Sequence, residues 1–327
     1  MKKLNVLITH VSYQAAAGSF IKMLRASKLY DFYIVGTDEI PKGYSSGSML
    51  VDKFYHIPLN CAIDRYVEIV TNICNEEQID IIISAEENDL IVYKDKQIKQ
   101  AYPEYIADKK IFKLFEDKYY ANIEISKLGI PIPTTYFNMG DLNKSNSIKC
   151  IYRKRISCCS RGIKIFNRGE IESDYVFYSN NHISQEYIEG RMFTIDVLCD
   201  KSGNIHMIVP RETLSLKDGT TFKCIIEKND LLIDVCKTVY NKFSIPGFSN
   251  IQFIVDKDKP YFIELNPRCA ATLIASSLVS INFLDFVIGE RIDNLEIPPY
   301  EELMKTVKWG SVISRYYEET VFEGNQI

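Results

Sequence analysis

The sequence lacks several features that would assign it at once to a familiar class of protein. No apolar run approaches the roughly 20 residues of a membrane-spanning helix, and residues 1–10 hold too short an apolar stretch for a secretory leader. The 9 cysteines show no paired CxxC spacing, so neither a zinc site nor a disulfide framework is indicated. A net charge of -4 argues against the broad basic surface of a nucleic-acid-binding protein. We therefore expect a cytoplasmic protein with reduced thiols and with neither a membrane nor a nucleic acid as partner.

Glycine is scarce where a dinucleotide-binding protein needs it. The first strand pattern is followed by THVSYQAAAGS, which has one glycine and no GxGxxG fingerprint. This absence disfavours an NAD-dependent reductase built on the N-terminal segment. Failure to bind NAD(H) would exclude that alternative.

The first hundred residues nevertheless alternate between strand and helix patterns. Buried strands are predicted over 4–9, 31–38 and 79–84, and helices over 16–27 and 63–78. Strands separated by helices of this length indicate right-handed crossovers and a parallel, doubly wound sheet. Ligands of such sheets gather at the carboxyl ends of the strands, which here lie near His10, Asp38 and Glu86.

A different pattern starts at FEDKYYANIEISKLGIPIPTTYF. A helix over 116–128 is predicted to end at Gly129, before an extended segment with two prolines. The elements predicted beyond it are strands over 148–155, 162–167 and 182–190, a hairpin over 193–210, a helix over 229–243 and a hairpin over 248–266. A chain of 327 residues with 46% apolar content has enough material for roughly two or three such domains.

The second hairpin ends in PYFIELNPRC, where Glu264, Asn266 and Arg268 occupy every second position. Because side chains alternate along a strand, the three polar groups share one face, while Ile263 and Leu265 are expected to pack behind. Arg268 can add positive charge for a phosphate or a carboxylate. The alternative is an ordinary amphipathic strand with its polar side in water.

The pairing of this hairpin favours a site. If the turn is centred on Asp258, Gln252 lies opposite Glu264 and Asn250 lies opposite Asn266, with all four on one face. One carboxylate among amide oxygens is a set of hard oxygen donors suited to Mg²⁺, with Mn²⁺ as the alternative ion. Magnesium usually completes its shell with waters and substrate phosphates, so a nucleotide is expected nearby.

A basic strand is the candidate for the phosphate contacts. In YRKRISCCSRG, Arg153 and Arg155 share a face, and the small-residue loop that contains Ser160 and ends at Gly162 offers backbone N–H groups to phosphate. The alternative is a solvated basic edge that prevents aggregation. The strand end QEYIEGR can pair its backbone with an adenine ring.

These pieces, in this order, resemble the ATP-grasp superfamily, in particular the branch that contains carbamoyl-phosphate synthetase and biotin carboxylase. The resemblance covers nearly the whole chain. It implies an α/β fold, α+β in the nucleotide half, in which an N-terminal parallel-sheet pre-ATP-grasp domain precedes a two-part ATP-grasp fold. The implied domains are the N-terminal domain over 1–107, the lid over 108–187 and the C-terminal domain with its metal hairpin over 188–327.

The resemblance also implies the role of each site residue. The nucleotide set is Lys118, Arg153, Arg155, Ser160, Gln185, Glu186, Tyr187, Ile188 and Glu189; the metal set is Gln252, Glu264 and Asn266; the catalytic pair is Arg211 and Arg268. Glu189 is included because Met192 stands where relatives carry a ribose-binding glutamate. Lys154 at a common proline position, the glycine-poor loop ISCCS and the alanines of NPRCAAT also depart from the family pattern.

The implied activity is the ATP- and Mg²⁺-dependent joining of a small-molecule carboxylate to an amine through an acylphosphate. Arg211 and Arg268 would hold the substrate carboxylate and the developing oxyanion, with the loop around Gly219 closing over them. For Arg211 the alternative is a surface ion pair with Glu212 or Asp218. Positioning and charge stabilisation need no nucleophile, so Cys158, Cys159 and Cys269 are interpreted as small space-filling residues.

Two other functions use the same nucleotide site. A phosphotransferase would release the phosphorylated acceptor, whereas a ligase would release an amide. A non-catalytic nucleotide sensor would bind ATP without turning it over. Relatives are often dimers, so a homodimer is expected.

Overall fold

The chain folds, in a computed structural model, into three β-sheets with helices packed around them. The structure describes residues 1–12, 14–58, 61–156, 162–171, 176–319 and 321–323. The predictions for Ser160, Cys158 and Cys159 lie outside these residues.

The first sheet is parallel, as predicted. Its domain consists of β1 (Lys2–Thr9), α1 (Gln14–Arg25), β2 (Tyr30–Asp38), β3 (Lys53–His56), α2 (Ile63–Glu76), β4 (Ile81–Ile83) and α3 (Glu87–Asp95). The strand order is β3-β2-β1-β4, and every pairing in it is parallel. The edge strand β3 was not predicted, because its four residues are half-buried or exposed and carry no buried apolar run.

The carboxyl edge of this sheet holds the three residues that the sequence places there, but Asp38 has a structural role. Its side chain is 2% exposed and accepts hydrogen bonds from the backbone N–H groups of Ser12 at 2.5 Å and Ile40 at 2.8 Å. Asp38 therefore holds the two loops that leave β1 and β2.

His10 is enclosed by carboxylates at the same edge. Its Nε2 lies 3.2 Å from Oδ2 of Asp89, and its Nδ1 lies 3.4 Å from Oε2 of Glu39. Burial opposes protonation of the ring, but the hydrogen bond and charge of Asp89, together with the charges of Glu86 and Glu39, raise the pKa of His10 to about 9. We therefore expect His10 to be protonated near neutral pH.

This ion pair predicts a loss of stability at alkaline pH. The folded-state pKa exceeds the unfolded value of 6.5, so the stabilisation is fully present below 6.5 and is lost as the pH rises through about 9. Urea denaturation of the wild type should show the loss of roughly 2 kcal/mol between pH 6 and pH 9.5. His10→Asn, a residue that tolerates the positive φ of 56° at this position, should lack most of this loss. If the free energy of unfolding changed equally with pH in the wild type and in His10→Asn, the stabilising role of the His10 ion pair would be contradicted.

The second sheet is a four-stranded antiparallel sheet. Its segment consists of α4 (Lys109–Glu116), α5 (Lys118–Ser126), β5 (Thr135–Tyr136), α6 (Met139–Lys144), β6 (Lys149–Lys154), β7 (Lys164–Asn167) and β8 (His182–Glu186), in the sheet order β5-β8-β6-β7. The helix predicted over 116–128 starts later, because Asp117 caps α5 by accepting the N–H of Tyr119 at 3.0 Å.

The third sheet has six antiparallel strands in the order β13-β12-β9-β10-β11-β14. Its segment consists of β9 (Arg191–Cys199), β10 (Ile205–Lys217), β11 (Thr220–Ile226), α7 (Asp230–Phe243), β12 (Gly247–Asp256), β13 (Lys259–Asn266), α8 (Ile274–Leu278), α9 (Phe283–Asp293), α10 (Tyr300–Lys305) and β14 (Val312–Ser314). Both hairpins predicted here, and the helix over 229–243, are present.

The first and third sheets share apolar cores. Phe20 of α1 and Leu198 of β9 belong to one buried cluster with Phe283 of α9. The parallel sheet is therefore packed against the six-stranded sheet, which brings its carboxyl edge close to the end of β13. Each sheet falls within one of the predicted domains, whose boundaries at 107 and 187 stay a prediction. Within the described ranges, no helix has the length and apolar character to cross a membrane.

Candidate functional site

The hairpin of β12 and β13 contains both predicted residue pairs, although its turn is not centred where the sequence predicted. Gln252 lies opposite Glu264 and Asn250 lies opposite Asn266. The turn, however, is centred between residues 257 and 258, since Asp256 pairs with Lys259 at its base. A shift of register between residues 252 and 253 inserts one extra residue in β13 and restores the predicted pairing at the polar end.

The same bulge corrects one predicted side-chain direction. Ile263, expected behind the strand, lines the same cavity as Glu264. The extra residue of a bulge breaks the alternation of the strand, so two successive side chains face one side. Leu265 keeps the predicted direction and is 1% exposed in the core.

Most of the predicted site residues meet in one cavity of about 380 Å³ between the lid sheet and the six-stranded sheet. Those that line it are Lys118, Arg153, Gln185, Glu186, Tyr187, Ile188, Arg211, Gln252, Glu264, Asn266 and Arg268. The sequence therefore identified residues from six separate segments that the fold brings together. Gly219 also lines the cavity, and the closing of its loop over a substrate stays a prediction.

The register of the strands gives the cavity a direction. Along β12 the residues Ile254, Gln252 and Asn250 follow one another, and each pair of neighbours is separated by about 7 Å of strand. Their partners in β9 change in the same order, with Met192 opposite Ile254 and Thr194 opposite Gln252. The cavity therefore runs from an apolar end to a polar end.

The apolar end has the character of a slot for a flat ring. Its walls are Pro133, Ile151, Ile163, Ile165, Ile188, Met192, Ile254 and Ile263. Glu186, Tyr187 and Ile188 close this end where β8 leaves the lid sheet, and the N–H of Glu186 donates to the carbonyl of Thr134 at 2.8 Å. Apolar walls suit a flat purine ring, and the contact of this segment with adenine stays a prediction.

Two buried cations line the cavity and face Glu264. Nζ of Lys118 lies 3.9 Å from Oε2 of Glu264. Arg153 is 5% exposed and donates from Nε at 2.9 Å and from Nη2 at 2.6 Å to Oε1 of Gln185. Burial lowers the pKa of Arg153 to about 10, although the charge of Glu264 opposes this shift. Because Arg153 is buried, a solvated basic edge is the wrong interpretation of this residue. Two buried cations beside one carboxylate are suited to binding phosphate.

Two predicted nucleotide contacts lie outside the cavity. Arg155 shares strand parity with Arg153, but its Nη2 lies 2.7 Å from Oδ2 of Asp117, and its guanidinium stacks on Tyr178. It links the end of β6 to the cap of α5, which is a structural role. Glu189 is exposed, pairs with Lys149 at 2.6 Å and is not among the residues that line the cavity, so its part in ribose binding stays a prediction.

The metal set fits a hard cation in its donor chemistry. Gln252, Glu264 and Asn266 contribute one carboxylate and two amide oxygens to the same cavity. Nδ2 of Asn266 donates to Oε1 of Glu264 at 3.2 Å, while its Oδ1 accepts from Arg268 at 3.4 Å. Binding a cation together with Glu264 therefore requires the Asn266 amide to turn. Among the described residues no three His, Cys, Asp or Glu side chains form a metal cluster, so phosphate oxygens would have to complete the shell.

Arg211 has a buried partner that the sequence did not reveal. The side chain is fully buried and lines the cavity, and its Nε lies 2.9 Å from Oδ2 of Asp196. Burial disfavours the charged form, but the charge and hydrogen bonds of Asp196 keep the pKa of Arg211 raised. The predicted alternative of a surface pair with Glu212 is wrong, because Glu212 pairs with Arg191 at 2.6 Å. Within the described residues, Nη1 of Arg211 has no hydrogen-bond partner.

The sequence signal for Asp196 was present but unused. Asp196 is a single carboxylate within the apolar strand FTIDVLC and is fully buried. Buried carboxylates almost always have a partner, so such a residue indicates a cation on a neighbouring strand. Thr194, on the same face two residues earlier, also lines the cavity.

Cys269 offers no reactive thiol to the site. It is 6% exposed, and burial raises its pKa to about 12. A thiol in this state is a poor nucleophile at neutral pH. This agrees with its interpretation as a space-filling residue.

Comparison with known proteins confirms the family suggested by the motifs. Residues 115–272 match the family model of the ATP-grasp domain. The matched segment is a little under half of the chain and includes the lid sheet and the metal hairpin.

One curated relative lies in the predicted branch. The carbamoyl phosphate synthase large chain of Lachnoclostridium phytofermentans is 25% identical over 133 residues, which make up 34% of this chain and 12% of that protein. The chain thus matches only about an eighth of that much longer protein.

Solved structures confirm the fold over nearly the whole chain. The L-amino acid ligase from Bacillus licheniformis is 16% identical with a TM-score of 0.62, covering 91% of this chain and 78% of that one. The biotin carboxylase domain of the Hydrogenobacter thermophilus 2-oxoglutarate carboxylase is 15% identical with a TM-score of 0.70, covering 94% and 73%. The N5-carboxyaminoimidazole synthetase from Staphylococcus aureus is 14% identical with a TM-score of 0.63, covering 91% and 80%. The predicted α/β architecture with an N-terminal parallel sheet is therefore confirmed.

Proposed function

We propose that this protein is an ADP-forming ligase that uses ATP and Mg²⁺ to join a carboxylate to an amine through an acylphosphate. The observation that carries the proposal is the direction of the cavity. An apolar slot at Ile254 and Met192 leads along β12 and β9 to the oxygen donors of the metal set, and the buried cations Lys118 and Arg153 line the same cavity together with Arg211 and Arg268. This arrangement suits adenine at the apolar end, with phosphates, a metal ion and an anionic substrate at the polar end.

The similar structures support the same assignment. The Hydrogenobacter domain is described in complex with MgADP, ADP and bicarbonate, and the Staphylococcus enzyme with ADP. The Bacillus protein is an L-amino acid ligase. We infer that ATP and Mg²⁺ are the cofactors here and that the partners are a small carboxylic acid and an amine. The homodimer predicted from the family stays a prediction.

Each step of the proposed reaction uses residues that line the cavity. Lys118 and Arg153 bind the phosphates and neutralise their charge. Gln252, Glu264 and Asn266 would hold Mg²⁺, which supplies charge stabilisation to the β- and γ-phosphates when bound. Arg211 and Arg268 orient the substrate carboxylate, whose oxygen attacks the γ-phosphorus and displaces ADP.

The second half of the reaction forms the amide. The amine attacks the acyl carbon, phosphate leaves with the bonding electrons, and the amine loses a proton. Arg211 and Arg268 would stabilise the negative charge on the acyl oxygen. Thr220 and Thr221, which follow Gly219 at the start of β11, line the same cavity and are placed to exclude water.

A substrate screen tests this function. Amino acids and other small acids are paired with amino acids and amino sugars, and ADP release is measured with Mg·ATP, with products identified by mass spectrometry. We expect ADP release that requires both substrates and a product mass that equals acid plus amine minus water. A stable phosphorylated acid or alcohol would identify a phosphotransferase instead. Binding of Mg·ATP without turnover for any pair would favour a nucleotide sensor.

A further inference from the structure

A carboxylate of the first domain reaches the proposed active site. Oε2 of Glu87 lies 3.8 Å from Nε of Arg268, and both side chains are mostly buried, with 25% and 16% of their surface exposed. Glu87 is the first residue of α3, and Arg268 lies two residues beyond β13. The pair therefore connects the parallel sheet to the hairpin that carries the metal set.

The other contacts of Arg268 are long hydrogen bonds, and one of them would be lost when a metal ion binds. Nη1 donates to the carbonyl of Cys269 at 3.3 Å, and Nη2 donates to Oδ1 of Asn266 at 3.4 Å. This Oδ1 is the oxygen that Asn266 must offer to a cation shared with Glu264. A divalent cation at that oxygen would repel the guanidinium, so the contact with Asn266 would be lost when metal binds. Among the described residues, Glu87 is the only carboxylate that forms an ion pair with Arg268, and this pair would remain when the metal binds.

The backbone that carries Glu87 is well fixed. Two residues further along α3, Asp89 accepts hydrogen bonds from Oγ1 of Thr9 at 2.7 Å and from the hydroxyl of Tyr66 at 2.9 Å. Asp89 is 7% exposed and also lies 3.2 Å from His10. This cluster anchors the first turn of α3 to the carboxyl end of β1, so Glu87 is presented from a rigid support.

We propose that Glu87 is a positioning residue for the ligation, which keeps the guanidinium of Arg268 directed at the acyl group while Asn266 is engaged by the metal. The inference rests on the proposed function. It gives the first domain, which carries none of the predicted nucleotide or metal residues, a part in activating the acid.

Kinetics of variants test this role with the acid and amine pair that the wild type uses. We expect Glu87→Gln to lower kcat about ten- to a hundredfold, because a misplaced catalytic group is costly, while the KM for Mg·ATP stays unchanged. Glu87→Asp should retain more activity than Glu87→Gln, since it keeps the charge. The control is Asp95→Asn, which removes a carboxylate at the far end of α3, where it pairs with Lys109 at 2.8 Å, and which should behave as the wild type.

A double-mutant cycle separates positioning from a general structural effect. Once Arg268 is replaced by alanine, Glu87→Gln should cause no further loss of kcat, because its effect is exerted through Arg268. Additive losses, or a wild-type kcat in Glu87→Gln, would overturn the inference.

If the wild type released no ADP with any pair of acid and amine, the proposed function would be refuted instead. A crystal structure of Glu87→Gln with Mg·ADP then decides the positioning role by itself. A displaced guanidinium supports the inference, and an unmoved one overturns it.

Discussion

Glu264→Gln is expected to reduce Mg²⁺-dependent ADP release by roughly a thousandfold. Glu264 is the one carboxylate of the metal set, and its Oε2 also lies 3.9 Å from Lys118. The substitution preserves size and hydrogen bonding but removes the negative charge that binds a divalent cation and balances Lys118 and Arg153. The fold should survive, because the side chain is part-buried at the cavity wall and not in the core.

The matched control for this result is Asp256→Asn. Asp256 is a carboxylate of the same hairpin, but it lies at the base of the turn and outside the cavity lining. ADP release is measured over a range of Mg²⁺ concentrations, and thermal unfolding confirms that both variants are folded. Unchanged turnover in Glu264→Gln, or an equal loss in Asp256→Asn, would show that the metal does not bind at this hairpin.

The metal hairpin could be predicted because its information is local. Polar residues at every second position define a face, and two strands joined by a short turn define the pairs. The bulge in β13 was not predictable, since nothing in KPYFIELN marks which residue is extra. Its effect was limited to Ile263 because the bulge lies between the turn and the polar pairs.

The basic strand shows where local periodicity fails. Arg153 and Arg155 have the same parity, yet one lines the cavity and the other is held by Asp117. The difference arises because β6 ends at Lys154, after which the backbone of Arg155 donates to the carbonyl of Asn181 and its carbonyl accepts from the N–H of Lys118. Strand ends depend on such tertiary hydrogen bonds, which the alternation of residue types does not encode.

The ion pairs were the least predictable part of the site. Glu87 lies 181 positions before Arg268 in the chain. The two residues meet only because the parallel sheet packs on the six-stranded sheet. Asp196 and Arg211 are closer in sequence, but their contact depends on the register between β9 and β10, in which Arg211 lies opposite Thr194. The sequence alone offered nearer acidic residues as partners.

Asp196→Ala is expected to lower the free energy of unfolding by about 3–5 kcal/mol. Asp196 is fully buried and accepts hydrogen bonds from Nε of Arg211 at 2.9 Å, from its Nη2 at 3.2 Å and from Oγ of Ser276 at 2.5 Å. Its removal leaves a guanidinium in the centre of the six-stranded sheet without a counter-charge. Urea denaturation measures the loss, and Ser276→Ala, which removes one neutral donor, should cost only about 1 kcal/mol.

The paired replacement Asp196→Leu with Arg211→Met separates stability from function. Apolar residues of similar volume avoid the cost of burying two charges, so the double variant should regain most of the stability that Asp196→Ala loses. It should not regain ADP release, because Nη1 of Arg211, which has no hydrogen-bond partner in the described part of the chain, is the group proposed to bind the substrate carboxylate. A stable and active double variant would show that Arg211 serves the fold alone. A stable but inactive one would show that the buried ion pair is maintained to present one guanidinium nitrogen to the substrate.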